Sequence, residues 1–307
     1  MQLPVLPTHS PSDALKIDIP LVTHLIASQF PQWAHLPVSP VALSGWDNRS
    51  FHLGTDMTVR LPGAEPYARA VNKEQTWLPR LAAHLPLPIP QPVALGEPDQ
   101  HSPWRWSVYR WLNGEIATSE RISDLDRFAI DLAGFLRAPQ KIATAGGPAR
   151  KLRGGSLDLW NDQAEAVIDA LASTVDAAAV TSIWQSALAA PFTNQPVWYH
   201  GDIAAGNLLV QEGKLCAVID FGGVGVGDPG CDMTIAWTLL GPSSRQLFRE
   251  TLGVEDAVWN RGRGWALWKA MIILAGIIET NAVEVASAEY AVDQLLADYR
   301  HRADVDA

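Results

Sequence analysis

The sequence has little cysteine and a shortage of positive charge. Its two cysteines, Cys216 and Cys231, are too few for a disulfide framework. Lys and Arg number 23 against 33 Asp and Glu, so the formal net charge is −10. This balance disfavours a nucleic-acid binder, because such proteins neutralise phosphates with basic side chains.

Long apolar runs are also missing. The most apolar run, residues 270–278, is too short to cross a bilayer, which takes about 20 residues. The stretch from Met1 to Pro20 lacks the basic and apolar segments of a signal peptide. These absences predict a cytoplasmic protein without a membrane partner.

Tryptophan, in contrast, is abundant, with 13 residues. Trp265 and Trp268 lie on one predicted helix, and their rings are expected either in a core or on the wall of a pocket. The acidic net charge favours a cationic ligand, although it can equally serve solubility alone.

Hydrophobic patterning divides the chain near residue 112. Before it, short apolar stretches predict strands at residues 41–44, 51–53, 58–61, 92–95 and 106–112, with helices at 19–30 and 67–78, the second ended or kinked by Pro79. After it, helical patterns occupy residues 122–136, 164–171, 178–190, 234–239, 244–251, 265–278 and 286–299. We expect an α+β fold with a strand-rich lobe at 1–112 and a mainly helical lobe at 113–307.

Polar residues surround one predicted hairpin, whose apolar strands at 208–210 and 215–219 flank a four-residue turn. Asn207 precedes the first strand and Asp220 follows the second, so both are expected at the open end, beside the loop that carries Asp202. Carboxylate and amide oxygens are ligands that Mg²⁺ prefers. Asp202 would then orient an acceptor hydroxyl and take its proton. Phosphoryl transfer needs little more than in-line positioning and neutralised charge.

The joint pattern of residues 200–207 (His-Gly-Asp-Ile-Ala-Ala-Gly-Asn), 219–221 and 227–232 resembles the aminoglycoside-phosphotransferase family, relatives of protein kinases. The resemblance implies a bilobal, kinase-like fold with ATP or GTP bound between the lobes. It implies Asp202 as the catalytic base, with Asn207 and Asp220 as the ligands of Mg²⁺. His200 is expected to brace its own loop rather than carry a proton.

In the first lobe the resemblance implies that Arg60 and Glu74 pair to hold the nucleotide phosphates. Arg60 replaces the lysine of protein kinases, and a guanidinium can still chelate phosphate; the alternative is an ordinary surface ion pair. Residues 44–50 stand where a phosphate-covering loop belongs, although they lack Gly-x-Gly-x-x-Gly. The remaining expected nucleotide contacts are Asn48, Arg49, Ser50, and the hinge residues Tyr109 and Trp111.

Asp228 and Asp232 are expected to support the site, or equally to cap a helix. The acceptor would be a polyhydroxylated or aminated small molecule. The family spans aminoglycosides, macrolides and metabolite alcohols, so a cationic acceptor and a neutral alcohol both stay open. Candidate wall residues, each with a structural alternative, are Asp158, Trp160, Trp265, Trp268 and Glu279. Three other functions are a catalytically silent nucleotide-binding module, a metal-dependent phosphohydrolase and a protein kinase.

Overall fold

The computed structural model describes residues 16–42, 48–149, 153–278 and 280–306. They form two compact units. The smaller unit holds the described residues up to Gly114 together with Ala217–Gly222, and the larger unit holds the rest from Glu115 onward. The sequence-based division placed residues 217–222 in the helical lobe. They group with the smaller unit because Val218 N–H donates to the Pro88 carbonyl at 3.1 Å and Lys73 Nζ donates to the Gly222 carbonyl at 2.5 Å.

The smaller unit contains an antiparallel sheet with strand order β1-β2-β3-β5-β4. Its elements are α1 (Ile19–Gln29), β1 (Val38–Pro40), β2 (Asn48–Leu53), β3 (Met57–Pro62), α2 (Glu65–Ala82), β4 (Pro92–Gly96) and β5 (Trp106–Arg110). Apolar residues of α1 and the sheet, among them Leu25, Val59 and Trp106, form one buried cluster. The strand-rich N-terminal region is therefore confirmed.

Two predictions in this unit are wrong in detail. The first strand ends at Pro40, whereas the sequence placed it at 41–44, of which residues 43 and 44 lie outside the described part. Pro40 has no N–H to donate and is tolerated on an edge strand. Helix α2 continues past Pro79 to Ala82, because the burial of Leu78 and Leu81 outweighs the hydrogen bond that proline removes.

The larger unit is mainly helical. Its helices are α3 (Leu125–Arg137), α4 (Asn161–Ala170), α5 (Ala177–Leu188), α6 (Ile235–Thr238), α7 (Pro242–Leu252), α8 (Asp256–Leu274) and α9 (Ala282–Asp306). Each helix predicted after residue 112 overlaps one of these. Helix α8 is buried along most of its length and packs against α5 and α9. Among the described residues, no helix is both long enough and apolar enough to span a membrane.

Short strands lie in the larger unit, except that the last two residues of the fourth, Ala217 and Val218, belong to the smaller unit. They are β6 (Glu115–Ile116), β7 (Val197–Tyr199), β8 (Leu208–Gln211), β9 (Lys214–Val218) and β10 (Gly225–Gly227). The predicted β8–β9 hairpin is confirmed, but its loop has only Glu212 and Gly213, whose φ angles of 51° and 78° suit a primed turn. A Cβ on Gly213 would lie 1.5 Å from Ser123 Oγ, so no larger residue fits there.

Candidate active site

Asp202 lies in the loop after β7, in the larger unit, and every partner of its carboxylate comes from that unit. Oδ1 accepts a hydrogen bond from Arg153 Nη1 at 2.9 Å and from Lys269 Nζ at 3.4 Å. Oδ2 accepts from Asn207 Nδ2 at 3.2 Å, and the same amide nitrogen donates to the Asp202 carbonyl at 2.8 Å. The structure therefore brings together two of the predicted site residues, Asp202 and Asn207.

The charges around Asp202 keep it ionised. Burial raises the pKa of its carboxyl, but Lys269 and Arg153 more than offset that effect and hold the pKa well below its usual range. The side chain is still 36% exposed. An ionised, partly accessible carboxylate is able to accept a hydrogen bond from an incoming hydroxyl.

The loop that carries Asp202 is held in place by hydrogen bonds to Asp232. Its carboxylate accepts the backbone N–H of His200 at 2.8 Å and that of Gly201 at 2.7 Å. His200 Nδ1 in turn accepts the Asp202 N–H at 3.2 Å, which is the bracing contact expected of this histidine. Gly201 has φ +90°, and a Cβ there would lie 2.5 Å from the Gly223 carbonyl oxygen. The backbone path of this loop therefore requires glycine.

Asp228 is both a cap and one half of a buried ion pair. Its carboxylate accepts the Gly230 N–H at 3.0 Å, which caps the 3-10 helix Pro229–Thr234. It also receives Arg261 Nε at 2.6 Å and Nη2 at 3.0 Å, and both side chains are almost fully buried. Asp232 lies inside the same 3-10 helix, so its carboxylate holds the loop that carries Asp202 instead of acting as an N-cap.

In the smaller unit, Arg60 connects two acidic groups. Arg60 Nη1 lies 3.7 Å from Glu74 Oε2, and Nη2 lies 3.3 Å from Asp220 Oδ1. The Tyr109 hydroxyl donates to Glu74 Oε2 at 2.5 Å. The Arg60 and Glu74 side chains are only 16% and 4% exposed. This is a buried ion pair, and the surface alternative is wrong.

Burial and charge set the protonation of this cluster. Burial alone lowers the pKa of Arg60, but Asp220 and Glu74 raise it above its usual value, so the guanidinium stays charged. Burial raises the pKa of Glu74, with Arg60 opposing the shift. Burial and the neighbouring Glu74 both raise the pKa of Tyr109, which keeps its hydroxyl a donor.

Asp220 has an unusual backbone. Its φ of +61° lies in the left-handed region, where a residue other than glycine is strained. Its Oδ1 lies 3.3 Å from Arg60 Nη2 and accepts a hydrogen bond from the Gly222 N–H at 3.4 Å. Such strained positions cluster at functional sites, where surrounding contacts hold them in place.

Of the other residues expected to contact the nucleotide, one lines a recess and the rest lie on or next to the sheet. Asn48 lines one recess in company with Arg60, Ala70, Val71, Glu74, Ser107 and Tyr109. Arg49 is exposed, and Ser50 pairs with Arg60 across β2 and β3. The ring centroids of Trp111 and His52 lie 4.2 Å apart, and the backbone N–H of Trp111 donates to the Asp56 carbonyl. Residues 44–47 of the expected phosphate-covering loop lie outside the described part.

The tryptophans of the proposed acceptor wall pack into a core. Trp160, Trp265 and Trp268 are each at most 3% exposed, and the Trp160 and Trp268 rings lie 4.5 Å apart. Their core interpretation is confirmed. Asp158 is exposed and bound to the Ser156 hydroxyl, and Glu279 lies outside the described residues.

Sequence reasoning missed the basic residues of the site. Arg153 lies in a glycine-bearing stretch without a helical or strand pattern, so nothing in the sequence marked it. Lys269 and Arg261 did carry a signal, because both, like Arg263, are cations among the apolar residues of helix α8. A charged residue inside such a helix is rarely buried without a partner.

Comparisons with known proteins agree on one family. The model of the family described as "Phosphotransferase enzyme family" matches residues 38–266. Over 74 residues the chain is 36% identical to an aminoglycoside 3'-phosphotransferase of Escherichia coli and, equally, to one of Salmonella typhimurium. That stretch is 23% of this chain and 27% of each relative, so the match spans about a quarter of the relatives' length.

Solved structures extend the likeness to nearly the whole chain. Aminoglycoside 2'-phosphotransferase-IIIa in its GDP complex gives a TM-score of 0.69 at 19% identity, covering 92% of this chain and 99% of that one. Macrolide 2'-phosphotransferase type I gives 0.59 at 18% identity, covering 88% and 94%. At these identities the likeness establishes the fold, and the predicted α+β, kinase-like architecture is confirmed.

Proposed function

Because the chain belongs to the phosphotransferase enzyme family, we propose that it is a small-molecule kinase that transfers the γ-phosphoryl group of ATP or GTP to a hydroxyl of its acceptor. The observation that carries the proposal is the ionised carboxylate of Asp202, held by Asn207 in a loop that Asp232 braces. We also propose that the enzyme acts in the cytoplasm, where nucleoside triphosphates are available.

Asp202 is the proposed catalytic base. The acceptor hydroxyl donates a hydrogen bond to its carboxylate and passes its proton there as the hydroxyl oxygen bonds to the γ-phosphorus. The bond from that phosphorus to the β,γ-bridging oxygen breaks, and the nucleoside diphosphate leaves. Phosphoryl transfer of this kind depends chiefly on positioning and on neutralised charge.

Arg60 is the proposed phosphate-binding residue of the smaller unit. Its guanidinium stays charged and is held from two sides by Glu74 and Asp220. A fork of N–H donors fixed in this way suits the bidentate recognition of phosphate oxygens. Tyr109 fixes Glu74 through its hydroxyl, so its side chain is proposed to act through the ion pair rather than on the nucleotide. Asn48 lines the same recess and is a proposed contact.

Asn207 and Asp220 are the proposed ligands of Mg²⁺. The donor chemistry fits, because a carboxylate and an amide oxygen are hard ligands and Mg²⁺ normally takes its remaining ligands from waters and phosphates. Asn207 uses its amide nitrogen on Asp202, which leaves its amide oxygen for a cation. When bound, the ion would neutralise negative charge on the phosphates.

The acceptor is proposed to be a polyhydroxylated small molecule. Proteins similar to this chain are named as aminoglycoside and macrolide phosphotransferases, which favours an acceptor rich in hydroxyl groups. Whether it is cationic is a separate question, because the carboxylate that would meet it already has two cationic neighbours.

A nucleotide-consumption screen with mass detection of the product tests the proposal across aminoglycosides, macrolides and metabolite alcohols. With the best acceptor found, Asp202→Asn should lower turnover at least about a hundredfold while nucleotide affinity stays near wild type, since general-base catalysis contributes about 10²–10⁴. Asp131→Asn, which changes a half-buried carboxylate paired with Arg127, is the matched control and should keep full activity. Near-full activity of Asp202→Asn would remove Asp202 as the base.

A further inference from the structure

The carboxylate of Asp202 is outnumbered by cations. Arg153 and Lys269 both reach its Oδ1, at 2.9 and 3.4 Å. In the part of the chain that the structure describes, Asp202 is the carboxylate with which each of these cations forms an ion pair. The three groups therefore carry one unit of excess positive charge, in a protein whose formal net charge is −10.

Both cations are placed to meet a ligand as well as Asp202. The side chains of Arg153 and Lys269 are 32% and 30% exposed, close to the 36% of Asp202 itself. Arg153 reaches the carboxylate through Nη1 alone. A guanidinium has five N–H donors and an ammonium three, so each has donors left over for a second partner.

This local charge bears on what the acceptor is. An ammonium group beside Asp202 would be repelled by two like charges and attracted by one carboxylate, whereas an anionic group would be attracted by two opposite charges and repelled by one. Attraction or repulsion between unit charges is strong at contact distances in a partly buried site. The arrangement thus selects against a cation beside the reactive hydroxyl.

We propose that the acceptor carries an anionic group, a carboxylate or a phosphate, near the hydroxyl that is phosphorylated, and that Arg153 and Lys269 bind this group. The proposal rests on the kinase function proposed above. Binding of the anion would also draw the two cations away from Asp202 Oδ1 and leave that oxygen for the hydroxyl.

A matched set of sugars tests the proposal, since they share a skeleton and differ in charge. The probes are glucose, glucosamine, glucuronate and glucose 6-phosphate, and the readouts are mass-detected phosphorylated product and kcat/KM. We expect glucuronate or glucose 6-phosphate to exceed glucose at least about tenfold, and glucosamine to be the poorest. The two anions distinguish a carboxylate from a phosphate as the recognised group.

Variants separate recognition from mere support of Asp202. Lys269→Met and Arg153→Met should raise the KM for the preferred anion at least tenfold more than they raise the KM for glucose, and leave the Kd of the nucleotide unchanged. Lys269→Arg should restore part of the loss. Lys141→Met, an exposed lysine of the same unit, is the matched control and should behave as wild type.

Several results would overturn the proposal. Product from glucosamine or glucose in preference to both anions would reject an anionic acceptor and leave the kinase function standing. An equal loss for glucose and the anion in Lys269→Met would show a supporting residue only, and a weaker nucleotide Kd would show that the cations bind the donor phosphates. Absence of product from every sugar, from aminoglycosides and from macrolides would reject both proposals together.

Discussion

Replacing Arg261 by methionine should destabilise the protein far more than the loss of an ordinary ion pair does. Methionine keeps the apolar stem and removes only the guanidinium. Asp228 is fully buried, and the Arg261 side chain is 5% exposed. After the change, the Asp228 carboxylate still accepts the Gly230 N–H but loses the two Arg261 N–H donors at 2.6 and 3.0 Å.

The size of the effect follows from leaving a buried charge without its partner. Breaking a buried pair on one side costs about 3–5 kcal/mol of unfolding free energy. For a unit of this size, 1 kcal/mol shifts the melting temperature by about 2–4 °C, so Arg261→Met should melt roughly 6–20 °C below wild type. Thermal and urea denaturation followed by tryptophan fluorescence measure both quantities.

Two further variants make the reasoning refutable. Arg300→Met removes the same guanidinium from an exposed pair with Asp176 at 3.5 Å, and should cost no more than about 1 kcal/mol. Adding Asp228→Asn to Arg261→Met removes the uncompensated charge and should recover part of the lost stability. If Arg261→Met and Arg300→Met unfold alike, or the second substitution recovers nothing, the buried charge is not what stabilises this region.

Two predictions concern the nucleotide and the metal. Asp220→Ala should weaken Mg²⁺-dependent nucleotide binding more than Asn207→Ala, because a carboxylate is the stronger ligand for a hard dication; calorimetric titrations with and without Mg²⁺ decide, and metal-independent binding in both variants would count against this site. Arg60→Ala should weaken nucleotide binding and Arg60→Lys should restore only part of it, because a point charge poorly replaces a planar fork. Normal nucleotide binding by Arg60→Ala would limit that residue to holding Glu74 in place.

The features that were predicted well from the sequence are those that depend on residues close together in the chain. The β8–β9 hairpin follows from two apolar strands and a turn that favours glycine, and the pairing of Asn207 with Asp202 follows from a spacing of only five residues. Family resemblance supplied the pair of Arg60 and Glu74. Its burial could not be read from the pattern, because it depends on how α2 and the sheet pack.

The partners of the two key aspartates come from far along the chain. Arg153 is 49 residues from Asp202 and Lys269 is 67, and Arg261 is 33 residues from Asp228. No local period links such positions, and only the tertiary fold brings them together. A cation among the apolar residues of a helix indicates a buried partner, but it does not say which acidic residue that partner is.

The same limit applies to what the net charge says about the acceptor. The formal charge of −10 is a sum over the whole surface, and at 0.1 M salt an exposed charge is screened over about 10 Å. The charged nitrogens of Arg153 and Lys269 lie 2.9 and 3.4 Å from Asp202 Oδ1, so these groups act on a ligand there more strongly than distant acidic residues do. The tryptophans that favoured a cation-binding wall are buried against each other. Net charge and buried tryptophans therefore do not describe the immediate surroundings of Asp202, and the anionic acceptor that we propose rests on the two basic side chains beside that carboxylate.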